Sequence, residues 1–350
     1  MRQSRLLAGM MLWLCSAAVV LAHPLGEPPG RQIDIGGRRM HLWCVGRGEP
    51  TVVIDAGLGA SAAEWQPVME RVGGHARICA YDRAGYGWSD PGPAPRTSSQ
   101  HANDLYLLLL NAGESGPFVL VGHSYGGYNA QLFARRYPFL VAGLVLVDAS
   151  HPEQIERFLA PPYGIRVAPS NRLGVVRFGE TPRPHPALPA RARELAAYQY
   201  RHWRPRRAIS SEMLGFADSA RELRAERPLP PVPLVVLTRG RRVWPAGAHG
   251  DALESLWLSL QAELAAQSPV AAHLLARDSG HQIHLDQPEL VAFAVALASS
   301  AGPPDEQRAP GFTNWPPSPD LRGFTWLRDT LEVRLPRQVV AFGRAGAPAR

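Results

Sequence analysis

The chain contains no lysine, so all 37 of its basic residues are arginine. A formal net charge of +7 raises the question of a nucleic-acid partner. The arginines are spread along the chain, and the densest groups, in 201–207 and 239–242, are short. Neither group is a DNA- or RNA-binding motif. With abundant Ala, Gly and Pro, the pattern reads as compositional bias, and nucleic acid is set aside as a partner. Cysteine is also scarce, with three residues. Cys15 lies inside an apolar run, behind a bulky Leu14, which is the wrong setting for a lipoprotein site. That leaves Cys44 and Cys79, which permit one disulfide or two buried thiols. Long apolar stretches are limited to that one run, residues 6–22, and no second stretch is long enough to span a membrane.

The run has a defined layout. Arg2 and Arg5 precede it, it carries no charge, and it closes on Val20-Leu21-Ala22 before Pro24. A basic start, an apolar middle and a small-residue exit describe a secretory signal, residues 1–22, with the mature chain beginning near His23. A spanning helix needs about 20 apolar residues, so the run is short for one. An uncleaved N-terminal membrane anchor is the alternative. The expected location is periplasmic or secreted.

The remaining chain is long enough for one large α/β domain with extensions, and a hydrophobic fraction of 45% supports a substantial core. Residues 31–45 alternate apolar and polar around Gly36-Gly37, as a hairpin does. Buried-strand runs follow at 51–55, 77–81, 118–121, 143–148, 232–238 and 273–277. Helical patterns lie between them at 65–72, 98–112, 128–137, 253–267 and 288–299. Strands alternating with helices predict a mostly parallel, eight-stranded sheet covered on both faces, with an antiparallel edge from the leading hairpin. The alternation breaks over about 151–231, where helical patches at 190–200 and 210–226 read as a helical cap above the strand ends. The domain runs over 31–300. Residues 301–350 form a Pro-rich tail in which 331–335 and 339–340 have strand-like composition. No internal repeat is visible.

The richest chemistry lies in Gly122-His123-Ser124-Tyr125-Gly126-Gly127. An apolar strand precedes these residues and a helical pattern follows. This is the G-x-S-x-G nucleophile elbow, a sharp turn with serine at its tip. The strand and helix almost touch there, so Gly122 and Gly126 are needed where a side chain would collide. The turn also aims the Tyr125 backbone N–H and the helix N-terminus at an oxyanion forming on a substrate.

A serine hydroxyl needs a base to remove its proton. His281, in Ser279-Gly280-His281, follows the last strand of the domain, and His284, His151 and His123 are the alternatives. The acid must hold the imidazole tautomer and stabilise the imidazolium. Its common position, after Thr238, reads Arg239-Gly240-Arg241-Arg242 and offers no carboxylate. Asp148, which ends the strand after the elbow unit, is the preferred acid, with Asp251 and Asp278 as alternatives. The second oxyanion donor is expected from the glycine-bracketed turn after Asp55, at the Leu58 N–H. The loop 82–89 lacks both the Gly-Lys-Ser/Thr ending of a phosphate loop and the G-x-G-x-x-G spacing. It reads as a structural turn beneath the site.

Taken together, Asp55-Ala56-Gly57-Leu58-Gly59, Tyr81-Asp82-Arg83-Ala84-Gly85-Tyr86-Gly87-Trp88-Ser89, the elbow, and Gly280-His281 with Asp286-Gln287-Pro288-Glu289 resemble the α/β-hydrolase superfamily in its single-domain "hydrolase-1" branch. The resemblance implies a Ser-His-acid hydrolase of ester, thioester, amide or lactone bonds that uses no cofactor and no metal. The acid at Asp148 corresponds to an alternative acid position of that branch. The resemblance also places the strand ending at Cys44 beside the one carrying Cys79. The expected substrate is a small acyl compound, and an ester is the first choice. An aminopeptidase or C–C bond hydrolase on the same residues is the alternative chemistry, and a non-catalytic ligand-binding protein on this fold is the alternative class.

Overall fold

The computed structural model describes residues 25–161, 184–300 and 331–334. The signal segment, the middle of the cap insertion and residues 339–340 lie outside the described residues. The chain begins with β1 (Arg31–Asp34) and β2 (Arg39–Val45), an antiparallel hairpin turning at Gly36 and Gly37. Both glycines have positive φ, 100° and 85°, as the turn requires. Then come β3 (Val52–Asp55), a 3-10 turn (Ala62–Trp65), α1 (Gln66–Val72), β4 (Ile78–Tyr81), α2 (Ser98–Ala112), β5 (Phe118–His123), α3 (Gly126–Arg136) and β6 (Val141–Val147). The insertion carries α4 (Gln154–Leu159), α5 (Ala190–Arg201), α6 (Trp203–Leu214) and α7 (Phe216–Ala225). β7 (Leu234–Arg239), α8 (Ala248–Ala265), β8 (Ala271–Ala276), α9 (Ile283–Asp286) and α10 (Pro288–Ser300) complete the domain.

The sheet order is β1-β2-β4-β3-β5-β6-β7-β8-β9. Strands β3 to β8 pair in parallel, and β2 joins β4 antiparallel. The expected eight strands are present. One more, β9 (Leu331–Arg334), comes from the tail and extends the sheet antiparallel to β8. The strand expected at 331–335 is therefore found, and it joins the domain sheet.

Every residue of β5 is buried, as expected for a central strand covered on both faces. On one face Leu105 and Leu109 of α2 and Leu132 and Phe133 of α3 pack against Leu120 and Leu146. On the other, Val68 and Val72 of α1 and Leu290, Val291 and Val295 of α10 pack against Val119, Val121 and Val145. The cap is seated through a smaller apolar cluster. Leu188, Ala192, Leu195 and Ala196 meet Ala63, Trp88 and Leu285.

The helical patch expected over 210–226 is two helices. They divide at Gly215, where a Cβ would lie 2.9 Å from the Arg96 carbonyl oxygen. Helix α4 was not foreseen, and none of its residues is fully buried, so it carries no strong apolar period. Among the described residues no helix is long and apolar enough to cross a membrane.

Cys44 and Cys79 are directly opposed residues of β2 and β4, and they form a disulfide closing a separation of 35 residues. In the chain-entropy model such a loop contributes roughly 3–4 kcal/mol by restricting the unfolded chain. The expected outcome is that Cys44→Ser/Cys79→Ser lowers the unfolding free energy by about that amount in a denaturant titration. Mass spectrometry of protein prepared under oxidising conditions should find neither thiol free. Two free thiols there would contradict the assignment.

Candidate active site

The elbow is built by steric exclusion. Ser124 has φ 51°, in the left-handed region that side chains avoid. Such a conformation costs about 1–3 kcal/mol and persists only where its surroundings enforce it. They do so here. The Ser124 N–H donates to the Val147 carbonyl at 3.2 Å, and its own carbonyl accepts from Gly127 and Ser150 at 2.9 Å each. A Cβ at Gly126 would lie 2.2 Å from the Asp55 carbonyl oxygen, and one at Gly122 would lie 2.6 Å from the Gly126 carbonyl oxygen. No other residue fits at either place. Ser124 is half-buried in an otherwise buried stretch.

Asp148 sits at the next turn of the same edge, immediately after β6, and it too has positive φ, 41°. That conformation throws its carboxylate across the end of the sheet. Its Oδ2 lies 2.6 Å from His281 Nδ1. Its Oδ1 accepts from the Trp257 indole at 2.8 Å and from the Arg239 amide at 3.2 Å. The Arg239 guanidinium donates to Oδ2 at 3.1 Å. Asp148 is fully buried. Burial alone would push its carboxyl up, but the bond to His281, the charge of His281 and Arg239, and the Trp257 bond together hold it below the usual value. The carboxylate is therefore an acceptor. In the neutral ring, the tautomer that donates to this carboxylate carries its proton on His281 Nδ1 and its lone pair on Nε2. The His281 side chain is 42% exposed, so that nitrogen is reachable.

Arg239 is the last residue of β7, where the sequence pattern called for a carboxylate. It is a working part of the arrangement. Its guanidinium lies over the Trp244 and Trp257 rings at 5.0 and 4.8 Å and bridges Asp148 to Glu254. The alternative acids are elsewhere. Asp251 is 56% exposed and paired with Arg242 at 2.6 Å, and Asp278 is exposed.

The other histidines differ from His281 in their partners. His123 is buried, and burial together with neighbouring His281 pulls its pKa down to about 3, so it is neutral. Its Nε2–H donates to the His281 carbonyl at 2.9 Å, and the two rings stand 4.7 Å apart. It thus holds the loop that carries His281. Gly57 makes room for it, since a Cβ there would lie 2.7 Å from His123 Nδ1. His284 is buried and stacked on Trp65 at 4.4 Å. His151 lies 3.7 Å from Glu263, and burial lowers its pKa to about 4.

The expected oxyanion donors are Leu58 and Tyr125. Tyr125 caps α3, directly after Ser124. Among the described residues neither backbone N–H has an acceptor. The turn carrying Leu58 is held from below by buried Arg83, a residue that was read only as part of a structural loop. Its guanidinium donates to the Asp55 carboxylate at 2.8 Å, to the Ala56 carbonyl, and to the Gly57 carbonyl at 3.0 Å. From above, Tyr200 of α5 approaches so closely that a Cβ at Gly59 would lie 2.6 Å from its hydroxyl.

Two groups of described residues have metal-ligating atoms close together, and both are already engaged. Cys44 and Cys79 are joined to each other. Beside His151 and Glu153, both oxygens of Glu263 accept from Arg157, at 2.8 and 2.7 Å.

Comparison with known proteins agrees with this fold. YqjL of Bacillus subtilis (strain 168), a protein without an assigned activity, is 28% identical over 246 residues, covering 70% of this chain and 81% of that one. Several other curated relatives are matched over less than two fifths of their length. Among solved structures, the enol-lactonase from Burkholderia xenovorans LB400 superposes with a TM-score of 0.54 at 20% identity, covering 76% of this chain and 98% of the other. A thermophilic esterase from Thermogutta terrifontis gives 0.52 at 22% identity, covering 76% and 96%. At such identities the likeness shows the fold. The model of the alpha/beta hydrolase fold family matches residues 50–239, more than half of the sequence, and the chain belongs to that family.

Proposed function

We propose that the protein is an exported serine hydrolase that cleaves an ester-type acyl bond through Ser124, His281 and Asp148. The observation that carries this reading is the buried Asp148 carboxylate on His281 Nδ1, at the strand edge where Ser124 tops its strained turn. His281 Nε2 takes the Ser124 proton as Oγ attacks the acyl carbon, and Asp148 stabilises the resulting imidazolium. The carbonyl oxygen becomes an oxyanion held by the Leu58 and Tyr125 amides. When the tetrahedral adduct collapses, the carbon–oxygen bond to the alcohol breaks and His281 returns the proton to the leaving oxygen. Water then attacks the acyl-enzyme with His281 again as base, which releases the carboxylic acid and regenerates Ser124.

An ester is preferred over a peptide with a free amino terminus. Recognition of an ammonium group needs an unengaged carboxylate in the cap. Among the described cap residues the buried carboxylate is Glu212, and Arg83 binds it on both oxygens.

Ser124→Ala should lower turnover of a short-chain p-nitrophenyl ester by several orders of magnitude with an unchanged melting curve. Loss of the nucleophile in a comparable triad costs on the order of 10⁶. Wild-type turnover by well-purified Ser124→Ala protein would rule the mechanism out. Asp148→Asn should cut turnover by about 10⁴, because the amide favours the wrong imidazole tautomer. Asp251→Asn, at an exposed ion pair, should be nearly silent. Thermal melts of both variants separate chemistry from instability. An active Asp148→Asn beside a folded, inactive Asp251→Asn would reverse the assignment. For export, N-terminal sequencing of extracytoplasmic protein should read from near His23. A species starting at Met1 and extractable only with detergent would favour the anchor.

A further inference from the structure

Among the described cap residues, one acidic side chain is fully buried. Glu212, on α6, is fully buried, as are Arg83 and Tyr86 beneath it. Arg83 donates Nε–H to Oε1 and Nη2–H to Oε2, each at 2.9 Å, in a bidentate pair. The Tyr86 hydroxyl donates to Oε2 at 2.6 Å. His101 Nε2 stands 3.3 Å from Oε1, and burial together with nearby arginines keeps that imidazole neutral. Burying one carboxylate and one guanidinium is costly unless their geometry satisfies both. The remaining Arg83 donors go to the Asp55 carboxylate and to one short piece of backbone, the Ala56 and Gly57 carbonyls.

That piece is the oxyanion turn. Arg83 Nη2, which binds Glu212, also donates to the Gly57 carbonyl at 3.0 Å. The Gly57 carbonyl and the Leu58 N–H belong to the same planar trans peptide, so they point in opposite directions. Fixing the carbonyl downward on Arg83 fixes the N–H upward. On the other side of Leu58, the Gly59 N–H donates to the Tyr86 hydroxyl at 3.3 Å. Both supports of the Leu58 amide thus converge on Glu212.

We infer that Glu212 is a positioning residue for the reaction: through Arg83 and Tyr86 it aims the Leu58 amide at the oxyanion, so that the seating of α6 in the cap sets the strength of transition-state stabilisation. This inference rests on the serine-hydrolase reading above and adds to it a residue that touches neither substrate nor triad. A stabilising effect confined to the oxyanion appears in kcat and leaves ground-state binding nearly unchanged.

The test is steady-state hydrolysis of a matched pair of substrates, an oxoester and its thionoester. The thionoester places sulfur, a poor hydrogen-bond acceptor, where the oxyanion forms. Glu212→Gln is expected to lower kcat on the oxoester about 10- to 100-fold with KM within about twofold, a loss bounded by the 10²–10³ of removing a whole oxyanion donor. The thionoester rate should fall much less, so the oxo/thiono ratio drops at least about fivefold. Tyr86→Phe removes one support without leaving a buried charge unpaired, and it should lower the ratio in the same direction. It keeps the experiment decisive if Glu212→Gln folds poorly. Val72→Ala, a buried apolar truncation on α1 and away from the cap, should lower the melting temperature and leave the ratio unchanged. An unchanged ratio in folded Tyr86→Phe and Glu212→Gln would overturn the inference, as would equal losses on both substrates, even while activity depends on Ser124. Activity that survives Ser124→Ala would instead remove the underlying reading.

Discussion

The buried ionised carboxylate of Asp148 is the interaction on which the arrangement depends. Taking a carboxylate fully out of water is expensive, and the protein offsets the cost with donors from three elements. His281 comes from the loop after β8, Trp257 from α8, and Arg239 from the end of β7. A single charge therefore ties together the ends of three neighbouring strands, β6, β7 and β8, and one flanking helix. Its lowered pKa is a consequence of that convergence, since burial by itself would act in the opposite direction. Removing the charge would free Arg239 and Trp257 as well as His281.

Two left-handed turns stand behind this centre. Ser124 and Asp148 end adjacent parallel strands, β5 and β6, and both have positive φ. The left-handed backbone at these neighbouring strand ends sets the direction of both side chains. The surrounding glycines and the Ser124 hydrogen bonds to Val147, Gly127 and Ser150 hold that strain in place. The turn that carries Leu58 rests on a second buried charge cluster, Arg83 with Glu212 and Asp55. The site thus lies between two buried charge networks, one centred on each side of the elbow.

What could be read from the sequence follows the range of the forces involved. The elbow is legible because its constraint is steric and local, so six consecutive residues carry it. The strands and the helix Ser98–Ala112 are legible from apolar runs and spacing. His281 is found by its place after β8, and Asp148 partly by the missing carboxylate beyond Thr238. The sequence reading treated Arg239 as a vacancy, because nothing local says that its guanidinium reaches a residue 91 positions away. Glu212 was harder still. Its contact with Arg83 spans 129 positions, and nothing local marks its charged side chain as buried. The division of α6 from α7 was missed for a similar reason, since the close approach of the Arg96 carbonyl to Gly215 is tertiary. The addition of β9 to the sheet edge is likewise a long-range pairing that composition alone does not specify.

The central claim, that Ser124 is the activated nucleophile of this chain, is tested most directly by trapping it. Purified protein is treated with a fluorophosphonate and digested, and the adduct is mapped by tandem mass spectrometry. The account predicts a single stoichiometric adduct on Ser124, formed quickly in the native protein and not after heat denaturation. An adduct on another residue, or a folded protein that forms none, would contradict it.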